Sequence, residues 1–249
     1  MKVKTILVSQ PEPQTENSPY FDLAEKNKVK VDFRPFIHVE GVDTADVRKQ
    51  KVNVPGHTAI ILTSRNAVDH FFRIAEDLRF NVPNDMKYFC TSEAIAYYLQ
   101  KYVVYRKRKI YFGNHTFKDL MPQIKKHKQE KFLLPSSDIL KPEIPKLLKE
   151  AKIDYTRAIF YNTVASDLSD LADVDYDILV FFSPSGIKSL YENFPDFKQR
   201  NTRIAAFGSS THRAVKEAGL KLDIKAPTPK APSMTMAIEQ YIKNLQKSK

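Results

Sequence analysis

Small polar residues follow short apolar runs at several points in this sequence, and their types suit the capture of an anion. Thr63, Ser64 and Asn66 follow Ala59-Ile60-Ile61-Leu62, and Ser183, Ser185 and Gly186 follow Ile178-Leu179-Val180-Phe181-Phe182. Gly208, Ser209, Ser210 and Thr211 follow Ile204-Ala205-Ala206-Phe207, and Thr91 and Ser92 follow Tyr88-Phe89-Cys90. Each group precedes an amphipathic stretch, so each reads as the corner between a buried strand and a helix. The first turn of a helix carries unpaired backbone N–H groups and about half a positive charge from the helix dipole. Serine and threonine hydroxyls add donors there. The same residues also serve as ordinary helix caps, so a single corner is read either way. Pro184 suits a first helical position, where its missing N–H costs no helix bond. Gly186 leaves room for close approach to the backbone.

The corners come in matched pairs. Ala59 to Val68 resembles Ile178 to Ile187, and Tyr88 to Ile95 resembles Ala206 to Ala214, in the same order along the chain. Two consecutive matches predict two related half-domains. Ligands of parallel sheets sit outside the carboxyl ends of the strands, where all four corners fall.

Other residue types with chemical potential lack the spacing to use it. The six glycines form neither a GxGxxG nor a phosphate-binding loop, and there is no GxSxG elbow. His38, His57, His70, His115, His127 and His212 show no metal-ligand spacing, so no metal site is expected. Cys90 ends an apolar run and reads as a core residue, with a nucleophile near a helix start as the alternative. Asp167, Asp170, Asp173, Asp175 and Asp177 lack the glycine and closing glutamate of a calcium loop and read as a solvated loop.

The elements that carry these corners alternate strand and helix, which predicts α/β architecture with parallel sheets. Strands are expected at Ile6–Val8, Ile60–Leu62, Tyr88–Cys90, Ile110–Phe112, Phe132–Leu134, Ile178–Phe182, Ile204–Phe207 and Leu222–Ile224, with a closing helix from about Ser233. Two extended stretches break the alternation, Val29 to Arg34 and Tyr155 to Val164. They imply two flavodoxin-like halves, one inserted into the other. Residues 1–30 and 167–249 form the discontinuous domain and 42–152 the inserted one. Segments 31–41 and 153–166 form a two-stranded linker with hinge freedom.

The 249 residues allow two domains, with 42% hydrophobic residues to fill two cores. One cysteine permits no internal disulfide, and no signal peptide or membrane-length apolar run is read. A cytoplasmic protein is expected. The formal net charge of +11 admits a lysine-rich solvated surface or a polyanionic partner. The densest basic stretch, Lys101 to Lys131, reads as a solvated face. A nucleic-acid binder using Arg106 to Lys109 and Lys125 to Lys128 ranks behind a small-molecule polyanion, and no membrane partner is expected.

At these corners the chain resembles the uroporphyrinogen-III synthase family. The resemblance rests on Leu62-Thr63-Ser64-Arg65-Asn66-Ala67-Val68, on Phe182-Ser183-Pro184-Ser185-Gly186, and on Ile204 to Ala214 with Gly208 and Thr211. It extends through Ala226-Pro227 and Met234 to Ile238, and through Ile159-Phe160-Tyr161-Asn162-Thr163. The family's second inserted-domain corner departs here: glycine is replaced by Cys90 and threonine by Glu93, leaving Ser92 or Thr91 as substitutes. A glycine-containing loop of the family reads Pro135-Ser136-Ser137-Asp138. The resemblance implies a cofactor-free lyase that dehydrates and cyclises hydroxymethylbilane, a linear tetrapyrrole polycarboxylate, inverting its last ring through a spiro intermediate. It implies substrate contacts at Thr63, Ser64, Asn66, Ser92, Ser183, Ser185, Gly186, Gly208, Ser210 and Thr211, with Tyr161 as proton donor or cleft cover. It also implies a monomer, with the upstream hydroxymethylbilane synthase as a candidate partner. The alternative is a hinged binding protein that holds a small polyanion without turnover.

Overall fold

The computed structural model describes residues 2–171 and 176–247. The chain divides into two compact units, one of Met1–His38 with Val164–Lys249 and one of Val39–Thr163.

The first unit holds a five-stranded parallel sheet. Its strands are β1 (Thr5–Val8), β2 (Lys30–Phe33), β9 (Ile178–Phe181), β10 (Arg203–Phe207) and β11 (Leu222–Ala226), in the spatial order β2-β1-β9-β10-β11. Helices α1 (Pro19–Asn27), α7 (Pro184–Asn193), α8 (Ser209–Glu217) and α9 (Met234–Lys247) belong to this unit. Central strands buried on both faces must be apolar throughout. Ile178, Val180 and Phe181 are accordingly fully buried and Leu179 nearly so. One face packs Ile6, Val8, Val180 and Ile238 together, and the other packs Leu7, Phe181, Ile204 and Val215.

The second unit is built on a six-stranded sheet of β3 (Ile37–Gly41), β4 (Ala59–Leu62), β5 (Lys87–Cys90), β6 (Ile110–Phe112), β7 (Phe132–Ser137) and β8 (Tyr155–Ala165). Its order is β3-β8-β7-β4-β5-β6, and β8 through β6 run parallel. Helices α2 (Thr44–Lys49), α3 (Arg65–Asp77), α4 (Glu93–Tyr98), α5 (Phe117–Lys126) and α6 (Glu143–Glu150) complete it. Ile60, Leu62, Phe71 and Phe160 fill one side of the sheet, and Ile61, Phe89, Leu120 and Phe132 the other. Each such side chain contributes about 1.5–3 kcal/mol by leaving water.

The spatial order of the first sheet is the flavodoxin-like 2-1-3-4-5. The run β8-β7-β4-β5-β6 has the same order when the count starts at β7 instead of β4. The matched sequence pairs therefore occupy equivalent places. In the two five-strand runs β4 and β9 stand third, and β5 and β10 fourth.

The segments expected as linkers are more deeply committed to the sheets. Within 31–41, residues 31–33 belong to β2 and pair with β1, because Val31 and Phe33 pack on the first unit's core. Within 153–166, β8 pairs with β7 from Tyr155 onward. The chain crosses between units at 38/39 and 163/164, inside β3 and β8, which are neighbours. Pro135-Ser136-Ser137, compared above with a glycine-containing loop, continues strand β7 and is buried. Helices α1 and α2 have no counterpart among the expected elements. Of the aspartate-rich stretch, Asp173 and Asp175 lie outside the described residues. Asp177 accepts the backbone N–H groups of Lys4 and Thr5 at 2.7 and 3.1 Å, and Asp170 pairs with Arg34 at 2.8 Å.

Candidate functional site

Each matched corner forms because a buried parallel strand ends against a helix whose first turn must satisfy its own N–H groups. At the β4–α3 corner Ser64 is the cap. Its backbone is extended, and its Oγ accepts the Ala67 N–H at 3.0 Å. The same Oγ lies 3.2 Å from the Tyr161 hydroxyl. Thr63 is half-buried and its carbonyl accepts the Thr91 hydroxyl at 3.3 Å, while Asn66 is exposed.

Tyr161, expected on the linker, sits within the second unit's apolar cluster, 6% exposed. A β-bulge puts it there: Ser136 pairs with Ile159 but Ser137 pairs with Tyr161. Arg157 holds the end of β7 by donating to Ser136 Oγ at 2.9 Å and to the carbonyls of Ser137 and Asp138 at 2.8 Å. The Tyr161 ring stacks on His70, with centroids 5.0 Å apart and planes 18° apart. Burial pushes the phenol above its ordinary pKa, against the opposing pull of Ser64 and the Ser137 amide. Arg73 Nε donates to His70 Nδ1 at 3.2 Å, so the His70 proton resides on Nε2. Partial burial, and then the Arg73 charge, push His70 below its ordinary pKa, against the opposing charge of Asp69. The group beside Tyr161 is thus a neutral imidazole. Residue spacing assigns His70 no role. Its one signal in the sequence is a histidine on the apolar face of α3.

The β5–α4 corner offers least. Ser92 is 9% exposed and its Oγ is used on the Ile95 N–H at 3.4 Å. Glu93 opens the helix with a negative charge. Cys90 is fully buried and its thiol is pushed up to about 12 by burial, which leaves no thiolate near neutral pH.

In the first unit, Ser183 caps α7 by accepting the Gly186 N–H at 3.2 Å. Gly186 is buried, and a Cβ on it would come within 3.3 Å of the Phe181 ring. The glycine there meets the sheet's demand for close helix packing, and its N–H is already bonded. With Pro184 lacking an N–H, half-buried Ser185 keeps the remaining free amide of that turn.

The β10–α8 corner is different. Its cap is Gly208, with φ +86°, a conformation costly for other residues. A Cβ there would meet no atom within 4 Å, so the backbone is open. No side chain caps this helix, and Ser209 and Ser210 are exposed. Thr211 is fully buried, and its Oγ1 has no hydrogen-bond partner among the described residues. It lies under the corner, away from solvent. His212 Nε2 donates to the carbonyls of Ala206 and Ala226, at 2.8 and 3.0 Å, and ties the ends of β10 and β11 together.

The loop after β1 also belongs to this end of the sheet, and the sequence reading passes over it. In a 2-1-3-4-5 sheet the strand order reverses between the first and third strands, here β1 and β9, and ligands favour that crevice. Ser9 follows β1, donates its N–H to Val180 at 3.0 Å, and its Oγ lies 3.8 Å from a Cβ built on Gly186. The polar run after Ile6-Leu7-Val8 is the available signal.

Among the described residues no group of three or more His, Cys, Asp or Glu is gathered as a metal site, and no helix is long and apolar enough to cross a membrane.

The chain is similar to known proteins over nearly its whole length. A uroporphyrinogen-III synthase of Chlorobaculum parvum is 25% identical over 260 aligned positions, covering 97% of this chain and 100% of that one. Among solved structures, uroporphyrinogen-III synthetase from Helicobacter pylori matches with a TM-score of 0.61 at 18% identity, covering 97% and 99% of the two chains. A mutant uroporphyrinogen III synthase from the extremely thermophilic bacterium Thermus thermophilus matches with 0.55 at 16%, covering 98% and 99%. These two likenesses concern the fold. The profile described as uroporphyrinogen-III synthase HemD matches residues 18–236, and the chain therefore belongs to the uroporphyrinogen-III synthase family.

Proposed function

We propose that this protein dehydrates and cyclises hydroxymethylbilane, inverting the last pyrrole ring, to give uroporphyrinogen III. The observation that carries the reading is the α8 start: open Gly208 followed by Ser209 and Ser210, with first-turn amides that no side chain caps. Within the same unit the amide of Ser185 at α7 adds a donor, and in the other unit the amides of Arg65 and Asn66 at α3 are of the same kind, each suited to a carboxylate of the substrate. The hydroxyls of Ser64 and Ser183 already serve as caps and contribute by holding those amides in place. Ser92 and Thr211, expected as substrate contacts, are buried and present no hydroxyl to a ligand, while a net charge of +11 favours a polyanion.

The chemistry asks for little beyond placement. The hydroxymethyl oxygen departs as water, leaving a cationic azafulvene carbon. The substituted carbon of the last ring attacks it to form a spiro centre. The bond from that carbon to its original methylene then breaks, the ring turns over, and its free α-carbon attacks the released methylene and loses its proton to restore the pyrrole. We assign Tyr161, a neutral phenol whose pKa burial raises further, as the hydrogen-bond donor to the departing oxygen. Holding the attacking carbon over the azafulvene is the larger contribution, because orientation alone is worth several kcal/mol. We further read the protein as a monomeric cytoplasmic enzyme that receives its substrate from hydroxymethylbilane synthase.

The test is to mix the protein with hydroxymethylbilane and identify the isomer. Uroporphyrinogen III is expected. Type I alone, the product of spontaneous closure, would overturn the reading.

A further inference from the structure

The unit of Val39–Thr163 contains a cavity that none of the corners explains. It has a volume of about 660 Å³, well inside the range of roughly 300–1,000 Å³ typical of small-molecule sites. It opens at the amino-terminal ends of β5 and β6, where Met86, Tyr88 and Ile110 lie, whereas the corners lie at the carboxyl ends. Its apolar wall comprises Phe72, Phe80, Met86, Tyr88, Val103 and Ile110. Phe72 and Tyr102 stack on each other, with planes 2° apart and centroids 4.4 Å apart, so the pair offers a further ring its outer face or its edges.

The charges around it are unequal in availability. Asp69 is committed to the hydroxyls of Tyr98 and Tyr102 and faces Lys101 at 3.8 Å. Arg73 is committed to His70, Asp77 and the carbonyls of Val42 and Phe160. Lys109 Nζ donates to the Asn84 carbonyl and has no carboxylate partner among the described residues. Arg106 has no side-chain partner among them. Glu76 is the remaining uncommitted charge on the lining. Arg106, and Lys109 held by one backbone carbonyl and no carboxylate, stand beside an aromatic wall against the single uncommitted carboxylate of Glu76, which matches a ligand that joins a flat ring to an acidic group. Ring stacking and a charge-assisted hydrogen bond then act together.

We propose that this cavity is a second ligand site, separate from the cyclisation site, for a small molecule bearing a flat aromatic ring and one anionic group. The ring lies against Phe72 and Tyr102, and the anion meets Arg106 and Lys109. The anion's source is an aryl carboxylate or a nucleotide phosphate, which the probes separate.

The experiment titrates the full chain, with isoleucine and valine methyls labelled for NMR, with 2-naphthoate, adenosine 5′-monophosphate and the neutral 2-naphthalenemethanol. Saturable shifts at Val103 and Ile110 are expected with at least one of the two anions, and which one responds names the source. Arg106→Glu with Lys109→Glu should weaken that binding about tenfold or more, the loss expected of a hydrogen bond to a charged group. Glu76→Gln should not weaken it. No saturable shift with either anion, shifts confined to other methyls, equal binding of the neutral alcohol, or unchanged affinity in the doubly charge-reversed variant would each overturn the proposal.

Discussion

Replacing Tyr161 by phenylalanine removes one oxygen and keeps the ring. The ring is 6% exposed and stacked on His70, so phenylalanine fills the same space and the chief loss is the 3.2 Å contact with Ser64. A neutral hydrogen bond of this kind is worth about 0.5–1.5 kcal/mol. If the hydroxyl assists departure of the substrate oxygen by a hydrogen bond of similar strength, kcat falls about 2- to 13-fold. If it were the indispensable proton donor, the fall would be about 10²- to 10⁴-fold. The smaller fall is expected, because burial raises the phenol's pKa and makes full proton transfer less favourable. The assay follows hydroxymethylbilane consumption and resolves the isomers, with the urea midpoint measured on the same samples. Type III product should still dominate. Complete loss of type III in a variant that remains folded would refute the account in which orientation, rather than one acid, drives the reaction.

Further outcomes follow from the same geometry. Ser64→Ala removes the α3 cap, worth about 1 kcal/mol, and leaves the Tyr161 hydroxyl with the Ser137 amide as its remaining partner. Urea denaturation should show a smaller cost for Ser64→Ala in the Tyr161→Phe background, whereas equal costs would show the pair uncoupled. Cys90 should resist a thiol reagent in the native protein and react fully once unfolded, since it is buried with its pKa pushed up to about 12. His70 is held neutral by a lowered pKa. The unfolded chain therefore binds a proton near pH 6.5 that the folded chain takes up only lower. Stability should fall as pH drops below about 6.5, and His70→Phe should flatten that part of the profile. An unchanged slope would show that His70 carries no linked proton.

The strands with continuous apolar runs are legible from residue order alone. Ile178 to Phe181 and Ala59 to Leu62 must be buried on both faces, and nothing about their neighbours alters that. The corners at Ser64, Ser183 and Gly208 are legible because cap chemistry is local. Helix α1 escapes the sequence reading although Ser18 and Pro19 mark its start, because only Leu23 is buried along it and its periodicity is weak. The Lys30–Phe33 strand looks like a linker because it alternates polar and apolar residues, as an edge strand does; pairing with β1 makes it part of the sheet.

Sequence by itself determined the repeat, the parallel α/β class and the hydroxyl-bearing corners, since each depends on near neighbours in the chain. Tertiary structure decided what each corner has left to offer. Gly186 spends its freedom on the Phe181 ring, Ser92 and Thr211 are covered, and Gly208 stays open. Tertiary structure also set Tyr161 against Ser64, across 97 residues, and placed neutral His70 behind it. Those contacts join β8 to α3 and its cap, reaching across β7, which the sheet order sets between β8 and β4. No local pattern encodes that order.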